Sequence, residues 1–99
     1  MLSSLFRRGP REVALRGVVE GRVQSVAFRF HARQEATQLR LTGWVRNLGD
    51  GRVEFQVQGP EERVEEWLRW VAVGPPRARV DGVEHQPAER EELDGFEVR

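Results

Sequence analysis

The sequence lacks several features on which whole classes of proteins depend. It contains no cysteine, which excludes disulfides, thiolate nucleophiles, iron–sulfur clusters and cysteine-bound zinc. Imidazole ligands could come only from His31 and His85, so a dedicated metal enzyme is not expected. No cofactor is expected either. No run approaches the roughly 20 apolar residues that a membrane-spanning helix needs, so we expect no membrane association.

What the chain does contain is typical of a folded domain. Its 99 residues suffice for one compact core, and 32% charged against 38% hydrophobic residues is the balance of an ordinary soluble domain. The net charge is zero, yet residues 1–52 hold ten arginines and four acidic residues, whereas residues 53–99 hold six arginines and twelve acidic residues. The basic half either contacts an anion or attracts the acidic half across the folded surface.

Residues 1–12 are a polar, basic lead-in without sustained periodicity, expected to be frayed or locally docked outside a domain of residues 13–99. A secretory signal would need a longer apolar run after its charges, so we expect no export and a cytoplasmic protein. A monomer is expected as well.

The spacing of apolar residues predicts the order of strands and helices. Residues 13–19 have the alternation of a strand, which Gly21 ends, and from Phe28 to Leu39 the apolar period becomes that of a helix. Residues 41–47 are extended again and lead into a Gly-Asp-Gly turn at residues 49–51. The first half therefore predicts a strand, a helix, a second strand and a turn.

The second half predicts a similar set of elements. Apolar and polar residues alternate over residues 53–58, which predicts a strand with one buried face. A helix begins at Pro60 and ends before Gly74-Pro75-Pro76. Residues 78–85 predict a fourth strand interrupted at its glycine, and residues 96–98 predict a short final strand. Between them lies the polar, acidic stretch of residues 86–94, of which residues 89–94 are expected to be a solvated loop and not a metal site.

This order predicts an α+β fold, the ferredoxin-like βαββαβ sandwich. Two helices then pack on one face of a mainly antiparallel sheet, with a short extra strand at the C-terminus. In this topology the first two strands are parallel and the third lies between them. Residues 21–28 and 47–51 therefore converge at one edge of the sheet, where we expect the functional site.

Residues 21–29 join the first strand directly to the first helix. Such a junction collects unpaired backbone N–H groups and the positive end of the helix dipole, which together favour a phosphate-sized anion. Arg29 falls in the first helical turn, from which its guanidinium could bind the same anion with two N–H groups. The junction alone is a weak signal of an anion site, because it contains neither the GxxxxGK[ST] nor the GxGxxG pattern of nucleotide-binding loops.

Two motifs give the chain a resemblance to the acylphosphatase family. Residues 21–29 (GRVQSVAFR) resemble the family's G-x-V-Q-G-V-x-F-R signature, and residues 43–47 (GWVRN), followed by spaced glycines, resemble its second signature. The resemblance covers about residues 13–99. It implies the ferredoxin-like fold and the metal-independent hydrolysis of a small-molecule acyl phosphate to a carboxylate and inorganic phosphate.

The resemblance also implies roles for particular residues. Arg29 is expected to bind the phosphoryl group, and Asn47 is expected to orient the attacking water. The phosphate cradle is expected to consist of main-chain N–H groups of Val23, Gln24, Ser25, Val26, Ala27 and Phe28. Ser25 stands where the family pattern has glycine. A positive φ would strain this serine by about 1–3 kcal/mol, whereas another conformation would leave its hydroxyl as an added donor or facing solvent.

Two other functions are compatible with the fold. One is a non-catalytic phosphate- or nucleic-acid-binding module, since ferredoxin-like sheets also bind RNA through exposed aromatic residues. The chain has no tyrosine, and Phe55 is expected on the core face, so no nucleic-acid partner is expected. The other is a relative that keeps the phosphate cradle but has lost turnover through Ser25.

Overall fold

The computed structural model describes residues 11–99. The predicted basic lead-in lies outside the described residues except for its last two positions, of which Glu12 already opens the first strand. Five strands and two helices follow one another along the chain: β1 (Glu12–Arg22), α1 (Phe28–Gln38), β2 (Thr42–Asn47), β3 (Val53–Pro60), α2 (Glu61–Val73), β4 (Arg79–Pro87) and β5 (Phe96–Val98).

The five strands form one sheet in the order β4-β1-β3-β2-β5. Both β1 and β2 run antiparallel to β3, which lies between them, and β5 runs parallel to β2. The predicted ferredoxin-like sandwich with an extra C-terminal strand is therefore confirmed. Because β1 and β2 are parallel, their C-terminal ends lie at the same edge of the sheet.

Both helices form where the apolar period predicts them. In α1 the buried residues are Phe28, Ala32 and Ala36, each four positions after the last, so one face packs on the sheet. The small alanines allow close approach, and the buried indole N–H of Trp67 in α2 donates to the Ala32 carbonyl at 3.0 Å. Helix α2 ends at Gly74, whose φ of 77° suits glycine.

The face of β3 that points away from the helices is buried, whereas the sequence predicts that it is exposed. Gln56 and Gln58 were expected to face solvent, but they are 0% and 1% exposed. A crossing segment (residues 88–91) covers them: their side-chain amides donate to the carbonyls of Glu89 at 2.8 Å and Glu91 at 3.0 Å. The predicted solvated loop at residues 89–94 is outside the helices and strands, but the main-chain carbonyls of Glu89 and Glu91 bind the sheet instead of facing solvent. Residues 86–87 belong to β4, and the crossing segment supplies hydrogen bonds that two buried amides need.

Strands β4 and β1 are longer than the sequence predicts. Strand β4 runs without interruption through Gly82 to Pro87, because its pairing with β1 continues on both sides of this glycine. Strand β1 does not end at Gly21 but continues to Arg22, with an irregular register between Glu20 and Gly21. A Cβ atom at Gly21 (φ 131°) would overlap the Arg79 carbonyl oxygen, so only glycine allows this strand pairing.

Candidate active site

The C-terminal ends of β1 and β2 each lead into a connection that contributes to the site. The first is the β1–α1 loop (residues 23–27), and the second is the β2–β3 turn (residues 48–52). The side-chain amide of Gln24 in the loop donates to the carbonyls of Leu48 at 2.8 Å and Arg52 at 2.9 Å in the turn. The two segments therefore meet, as the sequence predicts.

The β1–α1 loop has an unusual backbone conformation. Ser25 and Ala27 have φ of 61° and 59°, whereas no positive φ occurs at Gln24 or Val26. The sign of φ thus alternates along the loop, which is the arrangement that turns successive N–H groups toward a common concave side and binds anions. Ser25 therefore has the strained conformation with positive φ.

The N–H groups of this loop are open to a ligand. Within residues 11–99, the N–H groups of residues 24–28 donate to no main-chain carbonyl in a loop or turn. The first N–H group that makes a helical hydrogen bond at the start of α1 is that of His31, which donates to the Ala27 carbonyl at 3.1 Å. Ala27 caps α1 without a side-chain hydrogen bond, and the first turn contains no acidic residue. Open donors and the positive end of the α1 dipole therefore coincide, which favours a dianion.

Arg29 is held at the edge of the sheet by Arg99, the residue that follows strand β5. Its Nη1 donates to the main-chain carbonyl of Arg99 at 2.7 Å, and the Arg99 N–H donates to the Val45 carbonyl at 2.8 Å. The guanidinium is thereby placed beside the C-terminal ends of β2 and β5. Its Nε and Nη2 make no hydrogen bond within the described part of the chain, and they remain for an anion.

Asn47 is the last residue of β2 and is exposed. It pairs with Val53, a core residue on the face that the helices cover. Because paired residues share a face of the sheet, Asn47 lies on the face that the helices cover. It is at the same edge of the sheet as the Arg29 guanidinium. The structure thus brings both predicted site residues to one edge and one side of the sheet.

The predicted cradle residues divide into anchors and exposed positions. The side chains of Val23 and Phe28 are each 1% exposed, so they secure the two ends of the loop in the core and leave only main-chain groups for a ligand. Between them the loop is half-buried or exposed at Gln24, Ser25, Val26 and Ala27. This division explains why the motif has an apolar residue on each side of residues 24–27.

The β2–β3 turn is stabilised by an ion pair. Asp50 accepts hydrogen bonds from the Arg52 main-chain N–H at 3.1 Å and from its Nε at 2.9 Å. The hydrogen bonds that Arg52 donates hold the pKa of the Asp50 carboxyl below its ordinary value. The Asp50 carboxylate, which accepts from the Arg52 side chain, in turn raises the pKa of the Arg52 guanidinium. The single carboxylate in this turn is therefore neutralised locally.

The structure adds two groups to the site that the sequence did not reveal. One is the Arg99 carbonyl that holds Arg29, for which no sequence signal exists because a main-chain acceptor has no residue preference. The other is the Gln24 side chain, since the motif predicts an anion site only through main-chain N–H groups. Residues 11–99 contain no group of three or more histidine, aspartate or glutamate side chains that could hold a metal ion. Neither described helix is long and apolar enough to cross a membrane.

Comparison with known proteins gives a consistent result. The family model for acylphosphatase matches residues 15–98. The chain is 53% identical over 81 residues to an acylphosphatase of Trichormus variabilis, covering 82% of this chain and 80% of that protein. It is 51% identical over 87 residues to one of Pseudomonas paraeruginosa, covering 88% and 96%. An acylphosphatase structure from Coxiella burnetii superposes with a TM-score of 0.85 at 38% identity, covering 89% and 93%. The chain therefore belongs to the acylphosphatase family.

Proposed function

We propose that Arg29, Asn47 and the N–H groups of the β1–α1 loop carry out the hydrolysis of acyl phosphates by this acylphosphatase. Water attacks phosphorus, the bond between phosphorus and the carboxyl oxygen breaks, and a carboxylate and inorganic phosphate are released. The observation that carries the proposal is that open N–H groups, a guanidinium and a carboxamide lie at one edge of the sheet.

The loop and Arg29 are proposed to hold the phosphoryl group. During transfer the negative charge spreads over three equatorial oxygens, so donors already aimed at them are the main catalytic resource. The positive φ values at Ser25 and Ala27, which alternate with the other φ values of the loop, support this role. The two free nitrogens of the Arg29 guanidinium support a second, charged contact to the same oxygens. These donors supply positive charge, so we expect turnover without a metal ion.

Asn47 is proposed to orient the water. A carboxamide both donates and accepts hydrogen bonds, and because it is neutral it does not repel the phosphate as an aspartate would. The departing carboxylate is a weak base, so it leaves without a protein acid. A phosphate oxygen of the substrate accepts the proton that the water loses, which balances the reaction without a titrating side chain.

Hydrolysis of benzoyl phosphate with and without EDTA tests the proposal. We expect Arg29→Gln and Asn47→Ala each to lower kcat/KM by about 10²–10³-fold, the usual effect of removing one pre-aimed donor. Arg33→Gln is the matched control, because Arg33 is an exposed arginine in the same helix whose guanidinium lies over the Phe30 ring. Arg29→Gln that stays folded and retains kcat/KM within threefold of the wild type would refute the assigned role.

We also propose that the domain of residues 13–99 works as a monomer in the cytoplasm, without a nucleic-acid partner. The proposed loop, Arg29 and Asn47 supply every group that the proposed reaction uses, so it needs no residue from a second copy. Against nucleic-acid binding, Phe55 is in the core and Trp44 is 2% exposed. Three guanidinium groups lie about the Trp44 ring, 5.0–5.4 Å from its centroid: those of Arg16, Arg46 and Arg99. Light scattering, RNA titration and cell fractionation test these three statements.

A further inference from the structure

We infer that Gln24 is a positioning residue, whose carboxamide fixes the β1–α1 loop against the β2–β3 turn and so sets the gap between the bound phosphate and Asn47. The inference rests on the proposed function, in which the loop holds the phosphate and Asn47 aims the water. It concerns the side chain of Gln24, whereas the phosphate cradle uses only its main chain.

The contact is made at two points. Nε2 of the half-buried Gln24 donates to the Leu48 carbonyl at 2.8 Å and to the Arg52 carbonyl at 2.9 Å. Both N–H bonds of one planar amide are therefore used, and two bonds from one rigid group fix direction as well as distance. Leu48 directly follows Asn47, so the contact ends one residue from the proposed water-orienting group.

The turn that Gln24 contacts is held together by hydrogen bonds of its own. The Leu48 N–H donates to the Arg52 carbonyl at 2.8 Å, and the Gly51 N–H donates to the Leu48 carbonyl at 3.3 Å. Asp50 adds its bonds to Arg52. The turn can therefore move relative to the loop only as a unit. The hydrogen bonds from Gln24 join the two segments and restrict this movement.

The fold does not depend on this contact. Both carbonyls that accept from Gln24 also accept a main-chain N–H within the turn, so loss of the amide leaves neither of them without a partner. The loop keeps its two buried anchors, Val23 and Phe28. What the contact adds is the relative position of two segments that the proposed reaction uses together.

This position should influence turnover more than phosphate binding. The cradle consists of main-chain N–H groups within one loop, so it remains intact when the loop moves as a unit. The attacking water depends on both segments, and a misplacement of about 1 Å between reacting groups can lower the rate by about 100-fold. Loss of the Gln24 amide is therefore expected to lower kcat while the affinity for inorganic phosphate changes little.

Gln24→Met is the first test, because methionine matches the length of glutamine and cannot donate a hydrogen bond. We expect kcat for benzoyl phosphate to fall by about 10–30-fold, with the Kd for inorganic phosphate, measured by calorimetry, within threefold of the wild type. Gln34→Met is the matched control, since Gln34 is exposed on α1. Thermal melts confirm that each variant is folded.

Gln24→Glu provides a readout that a purely structural role would not move. A protonated glutamic acid can donate to one carbonyl, whereas the ionised form repels both. The kcat of Gln24→Glu, relative to the wild type at each pH, is therefore expected to fall as pH rises through the carboxyl pKa, near 4.3 for a free side chain. If Gln24→Met does not fold, this profile decides the question.

The outcomes separate this inference from the proposed function. Wild-type turnover with kcat of Gln24→Met within twofold of the wild type overturns the positioning role and leaves the proposed function standing. Equal losses of kcat and phosphate affinity overturn it as well, because they mean that Gln24 only maintains the loop. A flat relative pH profile of Gln24→Glu has the same consequence. Normal turnover by Arg29→Gln instead overturns the proposed function, whatever the Gln24 variants do.

Discussion

The N-terminus of α1 and that of α2 are constructed in opposite ways. Helix α2 begins after Pro60 with Glu61 and Glu62 in its first turn, and the Glu61 N–H donates to the Arg11 carbonyl at 2.7 Å. Helix α1 has no acidic residue in its first turn, and its N-terminal cap residue, like that of α2, makes no side-chain hydrogen bond. The positive end of α2 is thus neutralised by its own residues, whereas that of α1 is left for a ligand.

The open terminus lowers the stability of the fold. A side-chain cap contributes about 1 kcal/mol, and a non-glycine residue in the left-handed conformation costs about 1–2 kcal/mol. The N-terminus of α1 lacks a side-chain cap, and both Ser25 and Ala27 have the left-handed conformation. The burial of Val23 and Phe28 on either side of the loop offsets this cost. An unfavourable local conformation held between two buried anchors is typical of a binding site.

Giving α1 the acidic first turn of α2 should weaken phosphate binding. Phe30 is 51% exposed in the first turn of α1, so Phe30→Glu adds a carboxylate without disturbing the core. We expect the Kd for inorganic phosphate to rise roughly threefold to tenfold at low salt, from repulsion between the carboxylate and a dianion. Calorimetry at two salt concentrations measures it, and added salt should reduce the effect.

Two controls complete this comparison. Phe30→Gln removes the ring without adding charge, and we expect a Kd close to that of the wild type. Glu62→Gln removes a carboxylate from the first turn of α2, so it should lower the free energy of unfolding by about 0.3–1 kcal/mol and leave phosphate binding unchanged. Equal phosphate affinity of Phe30→Glu and Phe30→Gln would contradict an anion site at α1.

Relief of the strained loop should raise stability by a smaller amount. Ser25→Gly removes the steric penalty of φ 61°, and part of this gain is lost to the greater freedom of glycine in the unfolded chain. We expect a net gain of about 0.5–1 kcal/mol, or about 2–6 °C in Tm. Calorimetric scans of the wild type and the variant measure it.

Ser25→Ala is the control for the hydroxyl, because alanine keeps the strained Cβ atom and should not raise the Tm. Main-chain N–H groups are retained in Ser25→Gly, so kcat should remain within threefold of the wild type. A large gain in kcat on Ser25→Gly would show instead that the serine impairs turnover. An unchanged Tm would show that the loop is not strained at this position.

The smallest expected effect is the pH dependence of the exposed turn. Arg52 lowers the pKa of the Asp50 carboxyl in the folded state. The contribution of this ion pair to stability is therefore fully present above the pKa of the carboxyl in the unfolded chain, 3.8. It is lost as pH falls through the lower folded value. We expect a slightly higher Tm for the wild type than for Asp50→Asn at pH 7, and no difference near pH 2. A difference that stays constant between these pH values would exclude the ion pair as its cause.

The elements that the sequence predicted correctly are those with local physical causes. Helix α1 follows from the four-residue spacing of Phe28, Ala32 and Ala36, and the end of α2 follows from Gly74. The strand order and the meeting of the β1–α1 loop with the β2–β3 turn follow from the order of elements. Each of these conclusions needs only neighbouring residues or the general rules of chain topology.

The errors occurred where distant residues satisfy polar groups. Alternation placed Gln56 and Gln58 in solvent, because a polar side chain in a strand normally faces water. In the structure the crossing segment offers them carbonyl groups, so both amides are buried with their hydrogen bonds made. Strand β4 likewise continues through Gly82 because β1 pairs with it on both sides. No local pattern contains this information.

By itself, the amino-acid sequence determined the topology and placed the two signature segments at one edge, because periodicity and connection order are local properties of a chain. Only the tertiary structure decided that the Gln24 amide spans the two segments, that the Arg99 carbonyl holds Arg29, and that polar residues of β3 are buried. These three features are hydrogen bonds between residues 24 to 70 positions apart. Their donors and acceptors meet only after the sheet has formed.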